Sequence, residues 1–156
     1  MAFGRGLGSP LLTINFILYV IAACLAGWAL NRNIDASLGS GAESAVGNSA
    51  VKIYFLPIAL IASVGGIAST FAGSHLVRVW RTDTLSAAAS ASLIAWLLTI
   101  LPMGLACKEI HVGGGFRPKR LKVLEAIIII LAFLELLYHL TLHAGVLGAN
   151  YGPTYA

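Results

Sequence analysis

The chain has 156 residues, of which 58% are hydrophobic and 10% charged, where a soluble domain carries about 45–50% and about 25%. Ten basic and six acidic side chains cannot cover the surface of a water-soluble globule of this size, so the surrounding solvent is lipid. Disorder, a collagen-like repeat and a disulfide scaffold are excluded by the apolar content and by only two cysteines. The formal charge of +4 does not indicate a nucleic-acid partner, because the basic residues fall between long apolar runs and not on one soluble face.

Four stretches stay essentially uncharged for about 20 residues or more, the length that crosses a hydrocarbon core of about 30 Å. They predict an all-α integral membrane protein, a four-transmembrane-helix bundle forming one domain over residues 1–156. The first helix runs from about Leu11 to Leu30, with Ser9 as N-cap and Pro10 at the first helical position, where a missing N–H costs nothing. Arg5 precedes this run, but the run is too long for a signal-peptide core of about 7–15 residues, and a retained helix is expected. Residues 31–51 are rich in Gly, Ser, Asn and Ala and predict a mobile loop. The second helix runs from about Ile53 to Ser74, with Lys52, Tyr54 and Phe55 at the interface and Pro57 in the first turns. The third runs from about Thr84 to Ala106, capped by Asp83 and bent at Pro102. The fourth runs from about Val123 to Ala144, with Gly145 as its stop.

Orientation follows the basic residues. Arg5, Arg78 and Arg81 lie on the side of the termini, against Arg32, Lys52, Lys108, Arg117, Lys119, Arg120 and Lys122 in loops one and three. The imbalance predicts termini outside and those two loops in the cytosol. The cluster Arg117, Lys119, Arg120 and Lys122 is a candidate site for anionic lipid head groups, at about 1 kcal/mol per residue.

Lipid supplies no hydrophobic drive between helices, so close approach depends on small residues. Gly65, Ser69 and Gly73 recur every four residues on the second helix, and residues 86–92 of the third, including Ser90, are only Ser and Ala. These two helices are expected to pack backbone to backbone; the alternative use of the same surface is a homo-oligomer seam.

The fourth helix carries Glu135, His139 and His143 at i, i+4 and i+8, within a sector of about 80°. Glu135 falls near mid-membrane, where an ionised carboxylate is penalised by about 2.5–3.5 kcal/mol. Counting from the helix centres puts Asn15 level with His139, and predicts a polar vestibule that opens on the side of the termini and closes near Glu135. Asn15, Glu135, His139 and His143 are therefore candidates for ligand binding or proton relay, with interhelical hydrogen bonding as the alternative role. A zinc site is not expected, because ligands at i, i+4 and i+8 of one straight helix spread over about 12 Å. Cys24 sits mid-helix and Cys107 at a helix end, so no disulfide joins them. No enzyme motif is present, and neither catalytic residues nor a cofactor is expected.

These segments also resemble a known family, the small plant plasma-membrane proteins named for the abscisic-acid-induced wheat plasma membrane polypeptide. The resemblance covers nearly the whole chain. It rests on Ser9-Pro10-Leu11-Leu12, on His75 with Arg78, Trp80 and Arg81, and on Ser92-Leu93-Ile94-Ala95-Trp96. Ala106-Cys107-Lys108-Glu109-Ile110-His111, Arg120 through Ile130, Leu142-His143-Ala144-Gly145 and Tyr151-Gly152-Pro153 complete it. Residues 31–51 depart from the family, and nothing is carried over there. The resemblance implies a multi-pass plasma-membrane protein of plant cells made in response to abscisic acid, drought, cold or seed maturation, with abscisic acid influx as a proposed activity. The alternative is a non-transporting protein that stabilises or organises the membrane during dehydration.

Overall fold

The computed structural model describes residues 2–39, 46–79, 82–112 and 117–150. They form four helices, α1 (Ala2–Ser37), α2 (Leu56–Val79), α3 (Thr82–Val112) and α4 (Lys119–Asn150), with a π-helical turn, Val51–Phe55, leading into α2. The described residues contain no strand. α1 packs on α2, α2 on α3, α3 on α4, and α4 returns to α1, which closes the bundle. Each helix, α2 together with its π-helical lead-in, contains a stretch long and apolar enough to cross a membrane: Gly8–Ser37, Ile53–His75, Ser86–Val112 and Lys119–Gly145. Ile17, Ile61, Ile94, Leu101, Phe133 and Leu140 point outward and are exposed, an apolar belt suited to contact with lipid.

The helices outrun their apolar cores. Pro10 lies inside α1 and not at its start, so Ser9 is no cap; its carbonyl instead accepts a hydrogen bond from the Thr13 hydroxyl at 3.1 Å. α3 continues through Pro102 to Val112, and α4 passes Gly145 to reach Asn150. Pro57 sits in the first turn of α2. It has no N–H for the carbonyl of Ile53, and immediately before it the backbone widens so that the Leu56 N–H bonds the Val51 carbonyl. Trp80 and Arg81, and the side chains of Arg5, Lys52, Arg78 and Asp83, to which orientation, capping and resemblance expectations attach, lie outside the described residues.

The C-terminal part of the first loop is anchored, contrary to the expectation of mobility. The Asn33 side chain pairs with Val46 in both directions, donating to its carbonyl at 3.2 Å and accepting from its N–H at 2.7 Å. Asn48 Nδ2 donates to both oxygens of Glu109 at 2.9 Å, while Asn48 Oδ1 accepts from the Val51 N–H at 3.0 Å. Gly47 makes this turn possible: its φ is +79°, and a Cβ there would stand 2.6 Å from Val51 Cγ1. Val46, Val51 and Phe55 are thereby buried in the end of the bundle.

The α2 glycines have a different use from the one their spacing suggests. Gly65 does face α3, where a Cβ would meet Leu98 at 3.1 Å. Gly73, however, faces Tyr138 of α4 and Leu12 of α1, and Ser90 is exposed with its hydroxyl bonded to the Ala87 carbonyl at 2.9 Å. The neighbouring Gly66 lies under the ring of Tyr19. Two tyrosines thus cross the bundle diagonally, Tyr19 from α1 to Thr99 on α3 and Tyr138 from α4 to Gly73 on α2. The glycines provide the room for those rings, and Ser69 is buried between them along the same helix.

Candidate functional site

A polar layer interrupts the apolar interior. On the side of the loops that join α1 to α2 and α3 to α4 lies a core that includes Tyr19, Phe55, Leu124, Ile128 and Leu131. On the side of the termini lies a second, with Leu12, Ala88, Ala89, Tyr138 and Leu142. Between them sit Asn15, Ser92 and Glu135, each fully buried. Asn15 Nδ2 donates to Glu135 Oε2 at 2.7 Å, and the Ser92 hydroxyl lies beside the same carboxyl group. Asn15 Oδ1, Ser92 Oγ and Glu135 Oε1 have no hydrogen-bond partner. Glu135 lies ten residues from the Gly145 end of its span, about 15 Å along the axis, which is mid-membrane.

The structure thus pairs Asn15 with Glu135, one helical turn deeper than the level of His139 where the depth count puts it, and not at the end of an open vestibule. Leu12, Tyr138 and Leu142 close the bundle axis above them. His139 and His143 instead look sideways. Their rings meet edge to face with centroids 4.5 Å apart, and with Ser86, Ala89, Ser90 and Leu93 they line a groove of about 270 Å³ between α3 and α4. His139 is 8% exposed, and its Nδ1 has no hydrogen-bond partner. The groove is thus lateral and not axial, because large side chains fill the axis while Ala and Ser leave the α3 surface low. Among the described residues, no three His, Cys, Asp or Glu side chains meet closely enough to hold a metal ion.

The tyrosines were not legible as site residues. Thr99 donates its hydroxyl proton to the Ala95 carbonyl at 2.7 Å, so in the 2.9 Å contact with Tyr19 the tyrosine is the donor. Tyr19 and Tyr138 flank the polar layer, and the Tyr138 hydroxyl is unpartnered. A signal existed: tyrosine in membrane helices concentrates at the interfaces, and both of these stand well inside their spans.

The basic cluster divides. Arg117 forms an ion pair with the buried Glu125 and is withdrawn from any lipid head group. Arg120 stacks over the Trp28 ring, 4.6 Å from its centroid, while Arg32 approaches the same ring at 5.7 Å. Lys119 and Lys122 are exposed. Glu109, buried and held by Asn48, is a second residue that its sequence position did not mark.

Comparison with known proteins agrees with this architecture. The AWPM-19-like family matches residues 13–145. A protein from Oryza sativa subsp. japonica, "Membrane protein PM19L", is 47% identical over 148 residues, which cover 95% of this chain and 83% of that protein. The rice relative is named as a membrane protein. No solved structure matches the chain. With four membrane-spanning helices and a family match over nearly its whole length, the chain belongs to the AWPM-19-like family of multi-pass membrane proteins.

Proposed function

We propose that the protein facilitates influx of abscisic acid across the plant plasma membrane as part of the response to dehydration. The observation that supports this reading is the fully buried Asn15–Glu135 pair at mid-membrane. A carboxyl group there is costly as a mere packing element and useful to a carrier of weak acids. Protonated Glu135 gives its proton to an incoming carboxylate, and the neutral acid moves on through apolar surroundings. The Asn15 amide holds the carboxylate left behind until a proton arrives from the side of His139. Each anion that enters thus brings one proton. The termini face outward in this reading, with Arg32, Lys119, Arg120 and Lys122 at the cytosolic surface.

A second reading, a non-transporting protein that stabilises the membrane in cold, drought or dormancy, is favoured by the filled axis. Tyr19 and Tyr138 close it, and a lone four-helix bundle ordinarily fills its interior with side chains. Alternating access by so small a chain calls for a homo-oligomer. Purified protein in liposomes, with labelled abscisic acid and an imposed pH gradient, decides between the two. Uptake faster than through empty liposomes, with its pH dependence lost in Glu135→Gln, is expected. Uptake equal to that of empty liposomes overturns transport.

A further inference from the structure

We propose that the groove between α3 and α4 is a lateral binding site for a lipophilic carboxylic acid arriving from the leaflet on the side of the termini, with His139 as its carboxyl-binding residue. The assignment rests on the transport reading for its biological use, but its geometry is independent. The groove opens to the bilayer between Ser86, Ala89 and Ser90 on one wall and His139 and His143 on the other. Lipid tails that would fill it carry no hydrogen-bonding atom, yet the His139 imidazole lines it, its buried Nδ1 making no full hydrogen bond although the Ala89 backbone lies beside the ring. A ligand that satisfies both features has an apolar body and a single polar head.

A second groove on the same half of the bundle is a natural comparison. Between α1 and α2, Leu12, Thr13, Phe16, Thr70, Phe71 and Ser74 line about 240 Å³. Its hydroxyls are already committed to local backbone: Thr13 to Ser9, Thr70 to Ile67 and Ser74 to Phe71. That groove suits an acyl chain and nothing more polar. In the α3–α4 groove Ser90 is likewise committed, to Ala87, so the imidazole is what separates the two.

A carboxyl head matches imidazole in either protonation arrangement, since a carboxylic acid donates to a neutral ring and a carboxylate accepts from a charged one. The edge-on His143 ring forms the outer rim. A volume of about 270 Å³ suits a small acid and lies below the range of most drug-sized sites. An acid seated on His139 lies one helical turn, about 6 Å along α4, from the buried Asn15–Glu135 pair, which is where a proton exchange would begin.

Equilibrium binding of tritiated abscisic acid and of its methyl ester to the purified protein in nanodiscs tests the assignment. The acid should bind at least tenfold tighter than the ester. Ser90→Trp, at an exposed position, fills the groove and should weaken acid binding at least tenfold, as should His139→Leu, whereas Thr13→Trp in the other groove should change it less than twofold. Wild-type affinity in Ser90→Trp, equal loss in Thr13→Trp, or no binding of the acid to the wild type overturns the site. In proteoliposomes, undiminished uptake by Ser90→Trp removes the groove and leaves transport standing. Binding that depends on the groove without any wild-type uptake removes transport and leaves the groove.

Discussion

Replacing Gly66 by alanine would put a methyl carbon 2.3 Å from Cε1 and Cζ of Tyr19, where carbon atoms in contact sit about 3.5–4.0 Å apart. The ring must retreat by roughly 1.2 Å to reach that contact distance. It is fully buried and tethered to Thr99 at 2.9 Å, so it cannot swing out to lipid without breaking the tether. Overpacking of this kind costs about 1–3 kcal/mol, and loss of an interhelical hydrogen bond adds about 0.6 kcal/mol. The sum, about 1.6–3.6 kcal/mol, is measurable by reversible unfolding in mixed detergent micelles of rising SDS fraction. Gly27→Ala and Gly104→Ala are the controls, since a Cβ at either meets nothing within 4 Å; both should stay within about 0.5 kcal/mol of the wild type. Tyr19→Ala combined with Gly66→Ala should be less unstable than the sum of the two single variants, because the clash is then gone. Full stability of Gly66→Ala would refute the diagonal tyrosine packing.

Four further outcomes are expected. Arg117→Ala strands the buried Glu125 carboxylate and should destabilise by about 3 kcal/mol in the same unfolding assay, while Arg117→Met with Glu125→Leu recovers most of the loss. Asn48→Ala should speed amide hydrogen exchange at Val51, whose N–H it binds, at least tenfold, and leave Val46, held by Asn33, nearly as protected as before. A double-mutant cycle of Asn15→Leu and Glu135→Leu should return a coupling of about 0.6–1.7 kcal/mol; zero coupling would mean that the 2.7 Å contact does not form. In a background lacking Cys24 and Cys107, a cysteine at Tyr155 should react with an impermeant thiol reagent on intact cells and one at Lys119 should not; the reverse pattern inverts the orientation.

The four spans were legible because hydropathy reports directly on what lipid tolerates. Helix ends were not, since polar residues such as Asn31 to Ser37 continue α1 beyond the apolar run and no hydropathy signal marks that point. Depth puts Asn15 level with His139, whereas its partner is Glu135, one turn along the same helix; a count from helix centres shifts when the helices extend beyond their apolar runs. The role of Gly66 and Gly73 was hidden because a small residue records only that something comes close, and helix backbone and tyrosine ring demand the same space. Arg117 illustrates a different limit: a basic residue in a short loop looks alike to the positive-inside rule whether it meets lipid or the buried Glu125, eight positions along the chain. The hold of Asn48 on Glu109 joins residues 61 positions apart, and nothing local announces it.

The polar layer of Asn15, Ser92 and Glu135 is bounded on both sides by tightly packed apolar side chains. Along its axis the bundle therefore opposes the passage of ions: a hydrated ion arriving from either end meets hydrocarbon before it reaches the layer. A cell can fill its membrane with many copies of such a protein and keep its resting voltage. Traffic admitted from the side, with one proton for each anion, would leave that resistance intact.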